Sequence, residues 1–348
     1  NENQLLLLDN LIYLKHVANQ EYKTVGEIVN NLLYGTDSNG VNYLDSSINP
    51  DKIGTVDEFP GRMTRAEWVE ILEFIEADTE LCSYTLTNGV GEDSDGLRAA
   101  CFVNGNDVNV VFRATGGDDE WHDNGQGGYL SDTQCQIEAL DYFNSLNLNS
   151  SHDITVTGHS KGGNKSQYIT ILSDIVDRCV SFDGQGFSRE FIQKYSTAIA
   201  ANASKIVSIN AEADFINCLL FPIASSITYV DTEVQTDFMQ NHCPNIMLDE
   251  NGNIHSATDQ DVLSVFINDF TTFVASEMPM QTKIAVFDAT IGWLEALDSF
   301  DNFCERIGTI HHGDELIKFV VLYMGQQYMG YQSGLNNEVL FGYNGNII

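Results

Sequence analysis

Between Asp153 and Leu172 the chain reads DITVTGHSKGGNKSQYITIL, and no other stretch constrains its fold as tightly. Ile154 and Val156 alternate as in a strand, while Tyr168, Ile171, Leu172, Ile175 and Val176 recur at the spacing of a buried helix face. Gly158-His159-Ser160-Lys161-Gly162 lies between the two patterns. A strand that enters a helix through so short a turn strains the middle residue, and the residues two before and two after it crowd each other. Gly158 and Gly162 carry no side chains to collide, and Gly163 adds room. The turn lifts Ser160 to the positive end of the helix, where backbone N–H groups point at developing negative charge. The pattern therefore predicts a nucleophilic Ser160 rather than an ordinary turn serine.

The same alternation extends on both sides. LRAACFVNGNDVNVVFRAT reads as two strands around an Asn104-Gly105 hairpin, and SDTQCQIEALDYFNSL as a helix capped by Ser131 and Asp132. DRCVSFDGQG gives a strand ending at Asp183-Gly184, SREFIQKYSTAIAANAS one helix, and KIVSINAEADFIN a strand running into a loop at Asp214. Strand, helix, strand at this spacing predicts a mostly parallel sheet with crossover helices. Val110 and Val111 are both apolar, so the strand holding them is covered on both faces. NIMLDENGNIH reads as a further hairpin around Asn251-Gly252. Both ends read as helical: MTRAEWVEILEFIEADTEL with Thr64 as N-cap, then DVLSVFINDFTTFV and DELIKFVVLYMGQQYMGY. No linker separates these parts, which predicts one domain over 1–348, with a helical N-terminal part (1–96), an α/β core (97–255) and a helical C-terminal part (256–348).

Sixteen Lys and Arg face 50 Asp and Glu, a formal charge of −34. Such a surface repels phosphate backbones, so no nucleic-acid partner is expected. Seven cysteines with wide spacings and no C-x-x-C argue against a disulfide framework or zinc knuckles and for mostly free thiols. QLLLLDNLIYL is interrupted by Asp9 and Asn10 and has no basic flank, so a buried helix is expected there rather than a leader. No stretch reaches the roughly 18 apolar residues of a membrane span. The chain begins at Asn1 rather than Met, so an upstream segment is expected to have been removed. The cytoplasm is the favoured compartment, with secretion the alternative if the removed segment was a signal peptide, and the oligomeric state is not legible.

A serine needs a base, and the base an orienting acid, in the chain order Ser, Asp or Glu, His. Of the later histidines His242, His255, His311 and His312, His242 follows the last parallel strand and is the preferred base. Asp214 and Asp183 both end strands; Asp214 is the preferred acid and Asp183 the alternative. The Lys161 N–H, fixed by the turn, and Thr115 at the end of VVFRAT are the expected oxyanion donors.

Other clusters read as structural. GGDDEWHDN gathers Asp118, Asp119, Glu120, His122 and Asp123 and is expected to shape a rim rather than hold a metal. GTDSNG and GEDSDG read as turns. Lys161 and Lys165, four residues apart, are expected to pair with acids of a neighbouring loop. Met324, Tyr328, Met329 and Tyr331 read as a core face, with an acyl groove as the other use.

VVFRAT, EWHDN, GHSKGG, Asp214 and His242 together resemble the fungal-type class 3 lipases. LLLLDNLIYL, GHSKGGNKSQY, FDGQGF and His242 resemble, more closely still, a family of uncharacterised bacterial lipase-like α/β hydrolases. The resemblance covers most of residues 1–255 and implies an α/β-hydrolase fold and a Ser-His-Asp hydrolase with no settled substrate; the residues themselves are read as an ester hydrolase acting on a small-molecule or lipid acyl ester, with no cofactor. Lys161 and Ala114 depart from the class 3 pattern, which has Leu and Gly there. A thioesterase or acyltransferase would use the same parts. The rival reading is a non-catalytic binding or scaffolding protein on a hydrolase fold, distinguished by whether His242 reaches Ser160 with a carboxylate behind it.

Overall fold

The computed structural model describes residues 1–48, 63–91, 96–235, 239–296 and 323; side chains are described except at 118 and 293–296. His311, His312, Cys304, Met324, Tyr328, Met329, Tyr331 and most of GEDSDG lie outside the described residues.

Eight strands form one sheet in which spatial order follows chain order. They are β1 (Thr85–Val90), β2 (Ala99–Asn104), β3 (Asp107–Phe112), β4 (Asp153–His159), β5 (Arg178–Phe182), β6 (Ile206–Ala211), β7 (Ser226–Val230) and β8 (Ala257–Thr258). The first three pair antiparallel, β3 to β7 run parallel, and β8 returns antiparallel. Gly105, at φ +64, makes the turn between β2 and β3, a conformation that costs glycine no Cβ clash.

A sheet whose parallel strands always advance in one direction places its right-handed crossovers on one face. The crossover helices are α6 (Gln134–Ser145), α7 (Lys161–Leu172), α8 (Arg189–Lys194) and α9 (Ser196–Asn202), α6 being preceded by α5 (Asp118–Gln126). The opposite face must be covered by something else, and the N-terminal helices do it: α1 (Glu2–Leu11), α2 (Val25–Tyr34), α3 (Tyr43–Ile48) and α4 (Arg65–Ala77). Strand alternation sorts the core accordingly. Ala100, Phe102 and Val111 pack with α1, α2 and α4, whereas Ala99, Val110, Phe112, Ile154 and Val156 pack with α6 and α7. Leu5 and Leu6 of α1 reach Val180, Phe182 and Ile209 on the central strands. Each such leucine, fully buried, contributes about 2 kcal/mol by area removed from water. Capping boxes at Asn1/Gln4, Thr24/Glu27 and Thr64/Glu67 start α1, α2 and α4. C-terminal to the sheet, α10 (Val262–Glu277) and α11 (Met280–Ala296) pack together, and Phe266, Phe270 and Phe273 surround Tyr323.

Several local expectations change. β1 lies inside the stretch read as helical, and β7 was not read as a strand. α6 is capped by Thr133 with Gln136, not by Ser131 and Asp132; Asp132 instead accepts hydrogen bonds from Tyr168 and Tyr195 and pairs with Lys194. The helix expected over 188–204 breaks at Tyr195 into α8 and α9. GGDDEWHDN, expected only to shape a rim, is largely helical: Asp118, Asp119 and Glu120 form the first turn of α5, where exposed N–H groups favour negative charge. Around Asn251-Gly252 the pairing is a single bridge, Leu248 to Ile254. GTDSNG is a turn in which Asp37 accepts the Asn39 and Val41 N–H groups. Among the described residues no helix is long and apolar enough to cross a membrane, and the six described cysteines are free thiols.

Candidate active site

Ser160 sits between β4 and α7 at φ 58, ψ −125, a strained conformation for a residue with a side chain. Two glycines make the turn possible. A Cβ on Gly158 would lie 2.4 Å from the Gly162 carbonyl carbon, and one on Gly162 would lie 2.1 Å from the Phe112 carbonyl oxygen. The Ser160 N–H donates to Phe182 O of β5 (2.8 Å), so the turn is tied to the neighbouring strand as well.

His242 arrives after β7 on the short turn Gln240–His242. Asn241 braces that turn, accepting the Gln235 N–H (2.7 Å) and donating to Gln235 O (3.0 Å). His242 Nε2 lies 2.7 Å from Ser160 Oγ, and its Nδ1 lies 2.9 Å from Asp214 Oδ1. Asp214 follows β6 and accepts the backbone N–H groups of Ile216 (3.1 Å) and Asn217 (2.9 Å). All three side chains are enclosed, Ser160 being 5% and His242 1% exposed. Burial pulls His242 down to about 4, against the charge of Asp183. Burial pushes Asp214 up to about 7, against the pull of its backbone donors. The imidazole is therefore held neutral, the form that accepts a proton.

Asp183, the alternative acid, ends β5 at φ 48. Its Oδ1 accepts the Ala211 N–H (2.7 Å) and the Asn217 amide (2.8 Å), and its Oδ2 lies 3.6 Å from His159 Nε2. It thus faces His159, whose Nδ1 lies 2.8 Å from the Tyr13 hydroxyl. The His159 ring packs against His242, centroids 4.8 Å apart. Sequence reading did not single out His159 or Tyr13; the signal was strand parity, which puts His159 on the same face as Thr157, over α1. His159, Asp183 and His242 offer ligand atoms within 4.8 Å of one another, donor types suited to zinc. Both His242 nitrogens already face Ser160 and Asp214, so a metal there would compete with that arrangement.

The oxyanion side is built from the end of β3. Phe112 is paired with Gly158, so the chain leaving β3 through Ala114 and Thr115 passes beside the serine turn. Asn124 of α5 donates its amide to Thr115 Oγ1 (2.9 Å), and the Gly116 N–H donates to Glu120 Oε2 (2.8 Å). Lys161 pairs with Asp123 and Lys165 with Glu120, both lysine side chains being fully enclosed. Glu120 and Asp123 are thus engaged by α7, while Asp119 and His122 are exposed. His255 is half-buried, its N–H on Met247 O, beyond the single Leu248–Ile254 bridge. Two clefts around Phe74, of about 220 and 540 Å³, are lined by none of Ser160, His242, Asp214, Thr115 and Lys161.

A mostly parallel eight-stranded sheet covered by helices on both faces, with a strained serine where a central strand meets its helix, is the α/β-hydrolase fold. Within that class the chain belongs to the Mbeg1-like family, whose family model matches residues 80–291, more than half of it. Among solved structures it is similar to the Lip2 lipase from Yarrowia lipolytica, with 13% identity, a TM-score of 0.33, and coverage of 44% of this chain and 67% of that one. No curated protein matches it.

Proposed function

We propose that this chain is a serine hydrolase of carboxylic esters, acting as a single α/β-hydrolase-like domain through an acyl-serine intermediate. The observation that carries the reading is the line Ser160 Oγ, His242 Nε2 and Nδ1, Asp214 Oδ1, with contacts of 2.7 and 2.9 Å, set on a strained turn. His242 takes the Ser160 proton as Oγ forms a bond to the ester carbonyl carbon. The N–H groups of Lys161 and Thr115, aided by the Thr115 hydroxyl, receive the oxyanion. As the intermediate collapses, the carbon–oxygen bond to the leaving alcohol breaks and His242 gives that oxygen its proton. Water then repeats the sequence against the acyl-serine. Asp214 holds the imidazole tautomer and offsets the imidazolium charge.

The flanking residues support an apolar acyl group. Ala114 beside Thr115, Phe215 and Ile216 beside Asp214, and Met239 and Cys243 around His242 all belong to one buried apolar cluster. A lipid or small acyl ester suits those apolar surroundings; the charge of −34 does not fit a nucleic-acid substrate. Steady-state hydrolysis of p-nitrophenyl esters of graded acyl length tests the proposal. Turnover should prefer apolar acyl groups and vanish in Ser160→Ala; equal turnover in that variant refutes it.

A further inference from the structure

Two lysines of the nucleophile helix, one turn apart, are buried with no exposed side-chain surface, which an aliphatic pair would tolerate more cheaply. Their partners share one pattern. Glu120 pairs with Lys165 through Oε1 and accepts the Gly116 N–H through Oε2 (2.8 Å). Asp123 pairs with Lys161 through Oδ1 and accepts the Cys135 N–H through Oδ2 (2.9 Å). Each carboxylate therefore ties α7 to a backbone N–H: Glu120 to Gly116 of the loop leaving β3, and Asp123 to Cys135 in the first turn of α6. Helix α5 in turn grips the loop twice, through Glu120 at Gly116 and Asn124 at Thr115 Oγ1 (2.9 Å).

We propose that Glu120 and Lys165 are positioning residues that fix the oxyanion loop, residues 114–117, against the nucleophile helix before substrate arrives. This rests on the reading of Thr115 and Lys161 as oxyanion donors. Donors on two different elements stabilise a developing charge only if their spacing is already set. The spacing here is set through the path Lys165, Glu120, Gly116 N–H. Removing one partner alone would leave a buried unpaired charge, so the informative variants remove both charges together.

The test compares E120Q/K165M with E120L/K165M. Both lack the ion pair, but only the glutamine keeps an oxygen for the Gly116 N–H. The readouts are melting temperature, kcat and KM on a p-nitrophenyl ester, and the inhibition constant of an aliphatic trifluoromethyl ketone, which forms an oxyanion on a serine. The leucine variant should lose about 10²-fold in kcat and a parallel factor in ketone affinity, with KM little changed. The glutamine variant should recover most of both. Equal kinetics in the two folded variants, or a leucine variant with parental kcat, overturns the proposal. Should either variant not fold, hydrogen exchange of Gly116 in the parent decides: protection is expected, and exchange at the unprotected rate overturns it. That readout does not depend on turnover, whereas failure of the hydrolase reading itself would appear as parental turnover in Ser160→Ala.

Discussion

His242 Nε2 lies 2.7 Å from Ser160 Oγ although the two residues are 82 positions apart. The sheet closes that gap: β5, β6 and β7 are added side by side, so the turn after β7 returns over the ends of the inner strands. Asp214, leaving β6, meets the far side of the same ring. Asp214→Asn keeps one acceptor oxygen for the loop but turns an amide NH2 toward the other backbone donor, removes the charge and favours the wrong imidazole tautomer. Turnover should fall about 10⁴-fold with KM little changed, as steady-state ester kinetics would record.

The proton inventory of this pair gives a pH dependence. Burial lowers His242 to about 4 and raises Asp214 to about 7, so a proton enters the pair within that window. A pair carrying that extra proton can no longer relieve Ser160 of its own. kcat/KM should therefore be full above about pH 7 and fall as the pH drops toward about 4. A profile that rises with acidification over this range contradicts the assignment.

Gly162→Ala is expected to disrupt the turn itself. The new methyl would stand 2.1 Å from a main-chain oxygen, Phe112 O, which cannot rotate away as a side chain can. A cost of about 3 kcal/mol or failure to fold is expected, read as a fall in the denaturant midpoint. Gly105→Ala meets no neighbouring atom within 4 Å, only an unfavourable φ of +64. It should cost about 1 kcal/mol, without effect on turnover.

Asp9 gives a stability prediction away from the proposed chemistry. It is fully buried in α1, accepts the Thr157 hydroxyl (2.9 Å), and is pushed by burial well above the usual carboxylate range. The folded chain thus keeps a proton that the unfolded chain releases, and the fold loses stability as pH rises toward the raised value. Asn cannot ionise. Asp9→Asn should melt with the parent near pH 4 and above it at pH 8. The opposite ordering at pH 8, in paired melts, contradicts this.

How much of this was legible in the sequence depended on range. The serine turn was readable because Gly158 and Gly162 answer a clash among a few consecutive residues. The α5 helix was missed because an acidic stretch with glycine shows no apolar helical face when no partner is known. Its helicity makes sense once Lys161 and Lys165 neutralise Asp123 and Glu120, a pairing made across the fold. β7 was missed because its first four residues are exposed or half-buried beside the two-residue β8 and lack a core pattern. Asp183 and Asp214 both end strands, so sequence alone left two acids open. Asp183 is directed at His159 and Asp214 at His242, a difference set by loop geometry after each strand.

The most direct measurement is covalent labelling with a fluorophosphonate probe, followed by peptide mapping, in the parent, Ser160→Ala and His242→Ala. The account predicts a single labelled peptide carrying the phosphonyl group on Ser160, no label in the alanine variant, and sharply slowed labelling without His242. Label on another residue, or equal labelling of parent and Ser160→Ala, would contradict it.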